Sequence, residues 1–156
     1  MNRKQLLITI DTEMDADIHW HKSWPPTYSS ITVGIPKFLR PIWNQFDVHP
    51  IYFVSPEVLY SEECCAVLRD EIAQGAIIGA HLHPEYIEPG KVWGKAIEEI
   101  EPQFPNSAYD KEIEKQKIAN LTTLIEEKLE VRPIWYRGAR FGTDTDTIQS
   151  LRELGY

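Results

Sequence analysis

The stretch AIIGAHLHP, residues 76–84, runs from five apolar residues directly into two histidines and a proline. A short, continuously apolar run that starts after Gly75 is typical of a parallel strand covered on both faces. The run Leu6–Ile10 has the same character and leads into Asp-Thr-Glu at residues 11–13. Each run therefore predicts a buried strand with polar residues at its carboxyl end.

Two further runs are rich in residues that favour strands, Ile51–Val54 and Pro133–Tyr136. The segments between the four predicted strands have apolar residues at helical spacing or helix-capping residues, which predicts four helices: Ile31–Phe46, Pro56–Gln74, Tyr109–Leu129 and Thr143–Leu154. Alternating strands and helices predict an α/β fold, with parallel βα units around a sheet or a distorted barrel.

The last helix stops at Gly155, and such a helix usually leads into another strand. Four βα units are also too few to close a barrel. We therefore expect an incomplete barrel: the chain is truncated relative to the complete fold, or a partner completes it by oligomerisation.

Composition limits the function classes. The chain has 156 residues, 42% of them hydrophobic, which predicts one domain over residues 1–156. A net charge of -8 argues against a nucleic-acid partner and favours neutral or cationic substrates. The only cysteines, Cys64 and Cys65, are adjacent and form no disulfide framework. No signal-peptide core or membrane span is evident, so we expect a cytoplasmic protein.

Two pairs of residues carry the predicted chemistry: Asp11 with Glu13, and His81 with His83. Side chains two apart on a strand project to the same side, about 6–7 Å apart along the backbone. If the two strands are neighbours, both pairs emerge at one rim. Two imidazoles and one carboxylate then form a divalent-metal site, with Zn favoured and Co, Ni, Mn or Fe possible, and the second carboxylate is left as a base.

Each pair taken alone has a simpler interpretation, since a lone Asp often caps a helix and a His-x-His can lie on a surface loop. A third element follows the last strand, YRGARFG at residues 136–142. Arg137 would reach the same rim and pair with Asp11 as an ionised carboxylate. Arg140 is expected to form a surface ion pair.

Two long irregular stretches follow strands, Met14–Ser30 and Pro84–Ala108, and α/β folds place their sites in such loops. The first contains His19-Trp20-His21. Trp20 is a candidate platform for stacking a sugar ring, and the histidines could supply an acid. A loop without a role is the alternative.

Together, TIDTE at residues 9–13, GAHLHP at 79–84 and YRGARFG at 136–142 resemble the motifs of the polysaccharide deacetylases with a NodB homology domain, also called carbohydrate esterase family 4. The resemblance implies a distorted (β/α) barrel that hydrolyses acetyl groups on sugars. It implies that Asp11 is the general base and that Glu13, His81 and His83 hold zinc or a similar ion. Arg137 would position Asp11, and backbone N–H groups near Tyr136 would bind the oxyanion.

The chain departs from the family pattern in three places. The family usually has adjacent aspartates where this chain has Asp11 and Glu13, and histidines four apart where His81 and His83 are two apart. The late family segment with the general-acid histidine has no counterpart. Two alternatives remain: an amidohydrolase or phosphoesterase barrel, and a non-catalytic domain that binds metal or glycan.

Overall fold

The computed structural model describes residues 6–22, 24–92 and 110–156, and these contain one sheet of four strands. In chain order, β1 to β4 are Thr9–Thr12, Ile51–Val54, Ile77–Leu82 and Tyr136–Gly138. The strands lie in the sheet in that same order, and every neighbouring pair is parallel. The predicted α/β fold class is confirmed.

Three strands extend further towards the carboxyl end than the sequence predicted, and only β2 has the predicted bounds. Asp11 pairs with Phe53, and His81 pairs with Arg137, so these polar residues belong to the strands. Strand pairing uses backbone groups and does not require an apolar side chain. The apolar runs therefore located the strands but not their ends.

The helices lie close to the predicted segments. A π-helical segment, Ser30–Leu39, runs directly into α1, Arg40–Phe46. The remaining helices are α2, Glu62–Ala73, α3, Lys111–Leu129, and α4, Thr145–Glu153. Shorter 3₁₀ turns follow the strands at Pro56–Tyr60, Pro84–Tyr86 and Ala139–Phe141.

The prediction of one helix over Pro56–Gln74 is wrong at its start. Ser61 has an extended backbone, and its hydroxyl accepts a hydrogen bond from the N–H of Cys64, which begins α2. A serine at this position satisfies an N–H that has no partner within the helix. Tyr109 and most of the predicted loop Pro84–Ala108, residues 93–108, lie outside the described part of the chain.

The two faces of the sheet carry different residues because side chains alternate along each strand. One face is covered by helices. Its buried residues Tyr52, Val54, Ile78, Ala80 and Leu82 share one hydrophobic core with Ile118, Leu121 and Ile125 of α3. The opposite face carries two rows of paired residues: Asp11, Phe53 and Gly79 form one row, and His81 and Arg137 form the next. The chemistry-bearing side chains thus share the face turned away from the core.

A contact between the two edge strands shows that the sheet is curled. Arg137 on β4 donates a hydrogen bond from Nη1 to Oδ1 of Asp11 on β1. In a flat sheet these strands would be three spacings apart, or about 14 Å. The contact requires the edges to bend towards each other, as in part of a barrel.

Within the described ranges, no helix has the length and apolar character needed to cross a bilayer. Cys64 and Cys65 are both buried free thiols. The cytoplasmic location stays a prediction.

Candidate metal centre

Glu13, His81 and His83 meet at one point, and in the described chain they form the one acid and histidine group whose geometry could hold an ion. One potential ligand atom from each residue lies within 4.8 Å of those of the other two. Nε2 of His83 is 3.3 Å from Oε2 of Glu13, and the two imidazole rings are 5.0 Å apart. The two i, i+2 pairs therefore share a rim.

The backbone and a carboxylate orient the two imidazoles. Nδ1 of His81 is 3.1 Å from the carbonyl oxygen of Arg137, and Nδ1 of His83 is 3.2 Å from Oε1 of Glu85. A ring nitrogen that donates to such an acceptor leaves the other nitrogen as the electron-pair donor. Histidines that bind metals usually carry this support on the ring nitrogen that faces away from the ion.

Burial and hydrogen bonds shift the pKa values of all three residues of this cluster. Burial lowers the pKa of His83, but its hydrogen bonds to Glu13 and Glu85 outweigh burial and raise it to about 8. Burial and the neighbouring His83 lower the pKa of His81 to about 4. Burial raises the pKa of Glu13, but the hydrogen bond to His83 and the charges of His83 and Lys22 hold it far below its ordinary value.

These donors fit a divalent ion. Two imidazole nitrogens and one carboxylate oxygen form the ligand set of many catalytic zinc sites, in which a further position stays open for water or substrate. The same set also accepts cobalt, nickel, manganese or iron. Because a carbonyl and a carboxylate already orient the two imidazoles, the rings need little rearrangement to bind such an ion.

Asp11 lies beside the cluster and is held by Arg137. The guanidinium donates to Asp11 and, from Nη2, to the hydroxyl of Thr9 at 2.8 Å. Its Cζ lies 4.2 Å from the ring centre of Phe53, so the group is stacked on an aromatic face. These contacts fix the carboxylate of Asp11 next to the proposed metal position.

Gly79 makes room for the Phe53 ring. A Cβ at residue 79 would lie 2.7 Å from Cδ1 of Phe53 and 3.1 Å from the carbonyl oxygen of Trp135. A larger residue would displace the ring that carries Arg137. Neither Phe53 nor Gly79 was singled out from the sequence, because their role depends on strand register.

Three charged residues that the sequence interpretation did not place in the site support it. Glu85 accepts hydrogen bonds from both terminal nitrogens of Arg140. Burial raises the pKa of Glu85, but the hydrogen bonds and charges of His83 and Arg140 outweigh it and lower the pKa to about 2. Arg140 therefore forms the expected ion pair, but its partner Glu85 is buried and the pair does not lie at the surface. Lys22 donates to Oε2 of Glu13. In the sequence, Glu85 could have been recognised by its position two residues after His83.

Glu57 is a fourth acid, fully buried beneath the site. Its Oε1 accepts the N–H of Met14 at 3.1 Å, and its Oε2 contacts the hydroxyl of Ser55. Burial raises the pKa of Glu57. It therefore connects the segment after β2 to the residue that follows Glu13.

A groove of about 1350 Å³ leads away from the site and is lined in part by Asp11, Glu13, Trp20 and His21. Trp20 is 81% exposed and adopts a left-handed backbone with a φ of 65°. The turn is closed by the N–H of Trp20, which donates to the carbonyl of Asp17 at 3.0 Å. The structure thus brings the Trp20 loop to the same groove as the acids.

The side chain of Tyr136 lies on the opposite face of the sheet from that of Arg137. Its ring packs against Tyr156 at a centroid distance of 6.1 Å and contacts the hydrophobic core. This follows from strand alternation, because Tyr136 and Arg137 are consecutive residues of β4. Any role for Tyr136 at the rim would therefore belong to its backbone.

No protein-family model matches the chain, and no curated protein sequence matches it. Solved structures do share its fold. The peptidoglycan deacetylase PdaC from Bacillus subtilis superimposes with a TM-score of 0.61 at 15% identity, covering 97% of this chain and 56% of that chain. A family 4 acetyl xylan esterase from Clostridium thermocellum, in complex with a cobalt ion, superimposes with a TM-score of 0.57 at 13% identity. The match covers 92% of this chain and 53% of that chain.

A mutant of BA3943, a CE4 family pseudoenzyme with restored enzymatic activity, gives a TM-score of 0.61 at 12% identity and covers 97% of this chain and 42% of that chain. The four parallel strands and their helices therefore form part of the NodB-like (β/α) barrel that these structures share, and the predicted incomplete, distorted barrel is confirmed. The chain spans about half the length of these solved structures.

Proposed function

We propose that this protein is a divalent-metal-dependent hydrolase that removes acetyl groups from an N- or O-acetylated carbohydrate. The observation that carries the proposal is the meeting of Glu13, His81 and His83 beside the Asp11–Arg137 pair. That arrangement lies at the carboxyl ends of parallel strands in a fold shared with deacetylases and esterases. Active sites of α/β folds occur at such strand ends.

Glu13, His81 and His83 would hold the ion, most simply zinc. A bound divalent ion supplies Lewis-acid polarisation of the acetyl carbonyl and lowers the pKa of water. Asp11 accepts the proton of the attacking water as general base. Arg137 keeps the Asp11 carboxylate oriented through the contacts to Asp11 and Thr9.

Substrate contacts would come from two directions. Trp20, exposed in the groove beside Asp11 and Glu13, offers a ring face on which a sugar can stack. The backbone N–H near Tyr136 would contribute a hydrogen bond to the oxyanion that develops on the acetyl group. A neutral sugar also suits a chain of net charge -8, since it is not repelled.

The test is acetate release from N-acetylglucosamine oligomers and from acetylated xylan, with the 156-residue chain loaded with zinc or cobalt. We expect release that a chelator abolishes and that added metal restores. His81→Ala should be inactive at every metal concentration at which the wild-type protein is saturated. A protein that binds the metal and releases no acetate from either polymer would contradict the proposed reaction.

A second candidate is a domain that binds metal or glycan without turnover. One contact favours it: the ammonium of Lys22 lies on Oε2 of Glu13, the same oxygen that faces His83, so a divalent ion has to compete with it. The two functions separate in the same assay. Metal binding together with binding of the sugar oligomer, and no acetate release, would support the non-catalytic domain.

A further inference from the structure

Lys117 is a buried cation that the proposed reaction does not use. It lies on α3, its side chain is among the largest fully buried ones, and its residue is 1% exposed. Its Nζ donates to the carbonyl oxygens of Pro84 and Ile87, each at 2.8 Å, and also to that of Pro89. Burying an ammonium is costly unless its hydrogens are bonded, and three carbonyls match its three donors.

The turn that Lys117 binds begins directly after a proposed metal ligand. Pro84 follows His83 and opens the 3₁₀ turn Pro84–Tyr86. Asn120, one turn further along α3, donates to the carbonyl oxygen of Glu88 at 2.8 Å. Helix α3 therefore binds backbone carbonyls of the 3₁₀ turn and of the residues that follow it, as far as Pro89.

Glu85 connects the turn to the metal centre. It is the second residue of the turn, and its Oε1 is 3.2 Å from Nδ1 of His83. A displacement of the turn by about 1 Å would lengthen this contact beyond hydrogen-bond range. Arg140 holds the carboxylate of Glu85 from the other side through its two terminal nitrogens.

We propose that Lys117 is a positioning residue of the metal centre: it holds the carbonyls of the turn, which places Glu85 and so directs Nε2 of His83 towards the ion. The inference rests on the proposed function only in taking His83 to be a metal ligand. A purely structural role would support the packing of α3 on the turn and leave the His83 ring unaffected. The two roles differ in what happens at the imidazole.

The experiment compares Lys117→Met with the matched control Lys115→Met. Lys115 lies on the same helix and pairs with Glu153, where Nζ is 2.6 Å from Oε2. Cobalt affinity is measured from the visible absorption of the bound ion, and ¹⁵N NMR of labelled histidine reports the imidazole of His83 in metal-free protein. We expect Lys117→Met to bind cobalt about tenfold more weakly, the range seen when outer partners of ligands are lost.

In metal-free Lys117→Met, the ring nitrogen signals of His83 should move towards those of the exposed histidines, His19 and His21. Lys115→Met should match the wild-type protein in both measurements. A folded Lys117→Met protein with unchanged His83 signals and unchanged cobalt affinity would overturn the inference. If this variant does not fold, Asn120→Ala takes its place, with an expected loss of cobalt affinity of up to about tenfold and a shift of the His83 signals in the same direction.

The outcome is independent of turnover. If the wild-type protein binds cobalt and releases no acetate, the proposed reaction fails while both measurements on Lys117 still apply. If the wild-type protein binds no cobalt, the premise that His83 is a metal ligand fails, and the inference about Lys117 fails with it.

Discussion

The guanidinium of Arg137 on β4 bridges Asp11 and Thr9 on β1, across the full width of the four-stranded sheet. Strand β2, one of the two strands between them, contributes Phe53, and the Cζ atom of Arg137 lies 4.2 Å from the centre of its ring. The bridge forms only because the sheet curls. The proposed base and its positioning residue are thus brought together by the same curvature that defines the barrel-like fold.

Asp11→Asn should separate catalysis from metal binding. The amide cannot accept the proton of the attacking water, so acetate release should fall by about 100- to 10,000-fold, the range for loss of a general base. Asp11 is not among the three ligands that converge, so cobalt affinity should change by less than about threefold. Kinetics and a cobalt titration of the same sample check both. A parallel loss of metal affinity would instead make Asp11 a ligand.

His83→Ala should abolish metal binding. It removes a ligand whose ring is already oriented by Glu85, so the loss should exceed the 10- to 100-fold seen for outer partners. Calorimetric titration with zinc measures the change. His49→Ala is the control, since the side chain of His49 is 56% exposed and lies before the start of β2, outside the cluster of potential ligands. Equal zinc affinity in both variants would place the ion elsewhere.

Gly79→Ala should destabilise the fold and disturb the site together. The new methyl group would meet Phe53 at 2.7 Å, and overpacking of this kind costs about 1–3 kcal/mol. Because Arg137 is stacked on that ring, acetate release should fall even at temperatures at which the variant is fully folded. Urea denaturation and kinetics at low temperature are the measurements.

Gly34→Ala is the matched control for this substitution. A Cβ at residue 34 meets only the carbonyl oxygen of Ser29 at 3.7 Å, which is an ordinary contact. Helical Gly→Ala changes of this kind stabilise by about 0.4–1 kcal/mol. A Gly79→Ala protein as stable and active as Gly34→Ala would show that the Phe53 ring moves without consequence.

Asp15 should make stability depend on pH in the acid range. Burial raises the pKa of Asp15, but hydrogen bonds from the hydroxyls and N–H groups of Ser29 and Ser30 outweigh it and lower the pKa from 3.8 to about 2. Between about pH 2 and pH 4, Asp15 therefore binds more protons in the unfolded chain than in the folded protein. The stabilisation is therefore complete above about pH 4 and is lost as the pH falls to about 2.

Asp15→Asn should reduce the free energy of unfolding by about 0.5–2 kcal/mol at pH 7, as for loss of a helix cap. Its difference from the wild-type protein should shrink below pH 4. Asp47→Asn, at a side chain that is 97% exposed, should change stability by less than about 0.5 kcal/mol. Urea denaturation at a series of pH values checks both. A difference that persists unchanged at pH 2 would contradict the assignment.

Much of the fold followed from local patterns. The apolar runs located β2 and β3, which are buried almost throughout because parallel strands are covered on both faces. The run Leu6–Ile10 located β1, although β1 exposes Thr9 and Asp11, and the run Pro133–Tyr136 meets β4 only at Tyr136. The single helix predicted over Pro56–Gln74 is interrupted because the Ser61 hydroxyl caps a new helix. Such a hydrogen bond between a side chain and the backbone cannot be seen from the spacing of apolar residues. Strand ends were displaced for a related reason, since backbone pairing continues through Asp11 and His81.

The proposed site was predicted in part. Asp11, Glu13, His81 and His83 could be paired from their i, i+2 spacing because strand geometry fixes which side chains share a side. The support for them came from residues distant in sequence, such as Lys22 on Glu13 and Arg140 on Glu85. No local pattern distinguishes a charge that will meet a buried carboxylate from one that stays in water.

By itself, the sequence determined the strand positions, the alternation that puts the acids and histidines on one side, and the order of the elements. These are consequences of local periodicity. Only the tertiary structure decided that β1 and β4 approach each other, that Phe53 lies under Arg137, and that Lys117 reaches the turn after His83. Each of those depends on sheet curvature and helix packing, which are set by the whole chain and by no single segment.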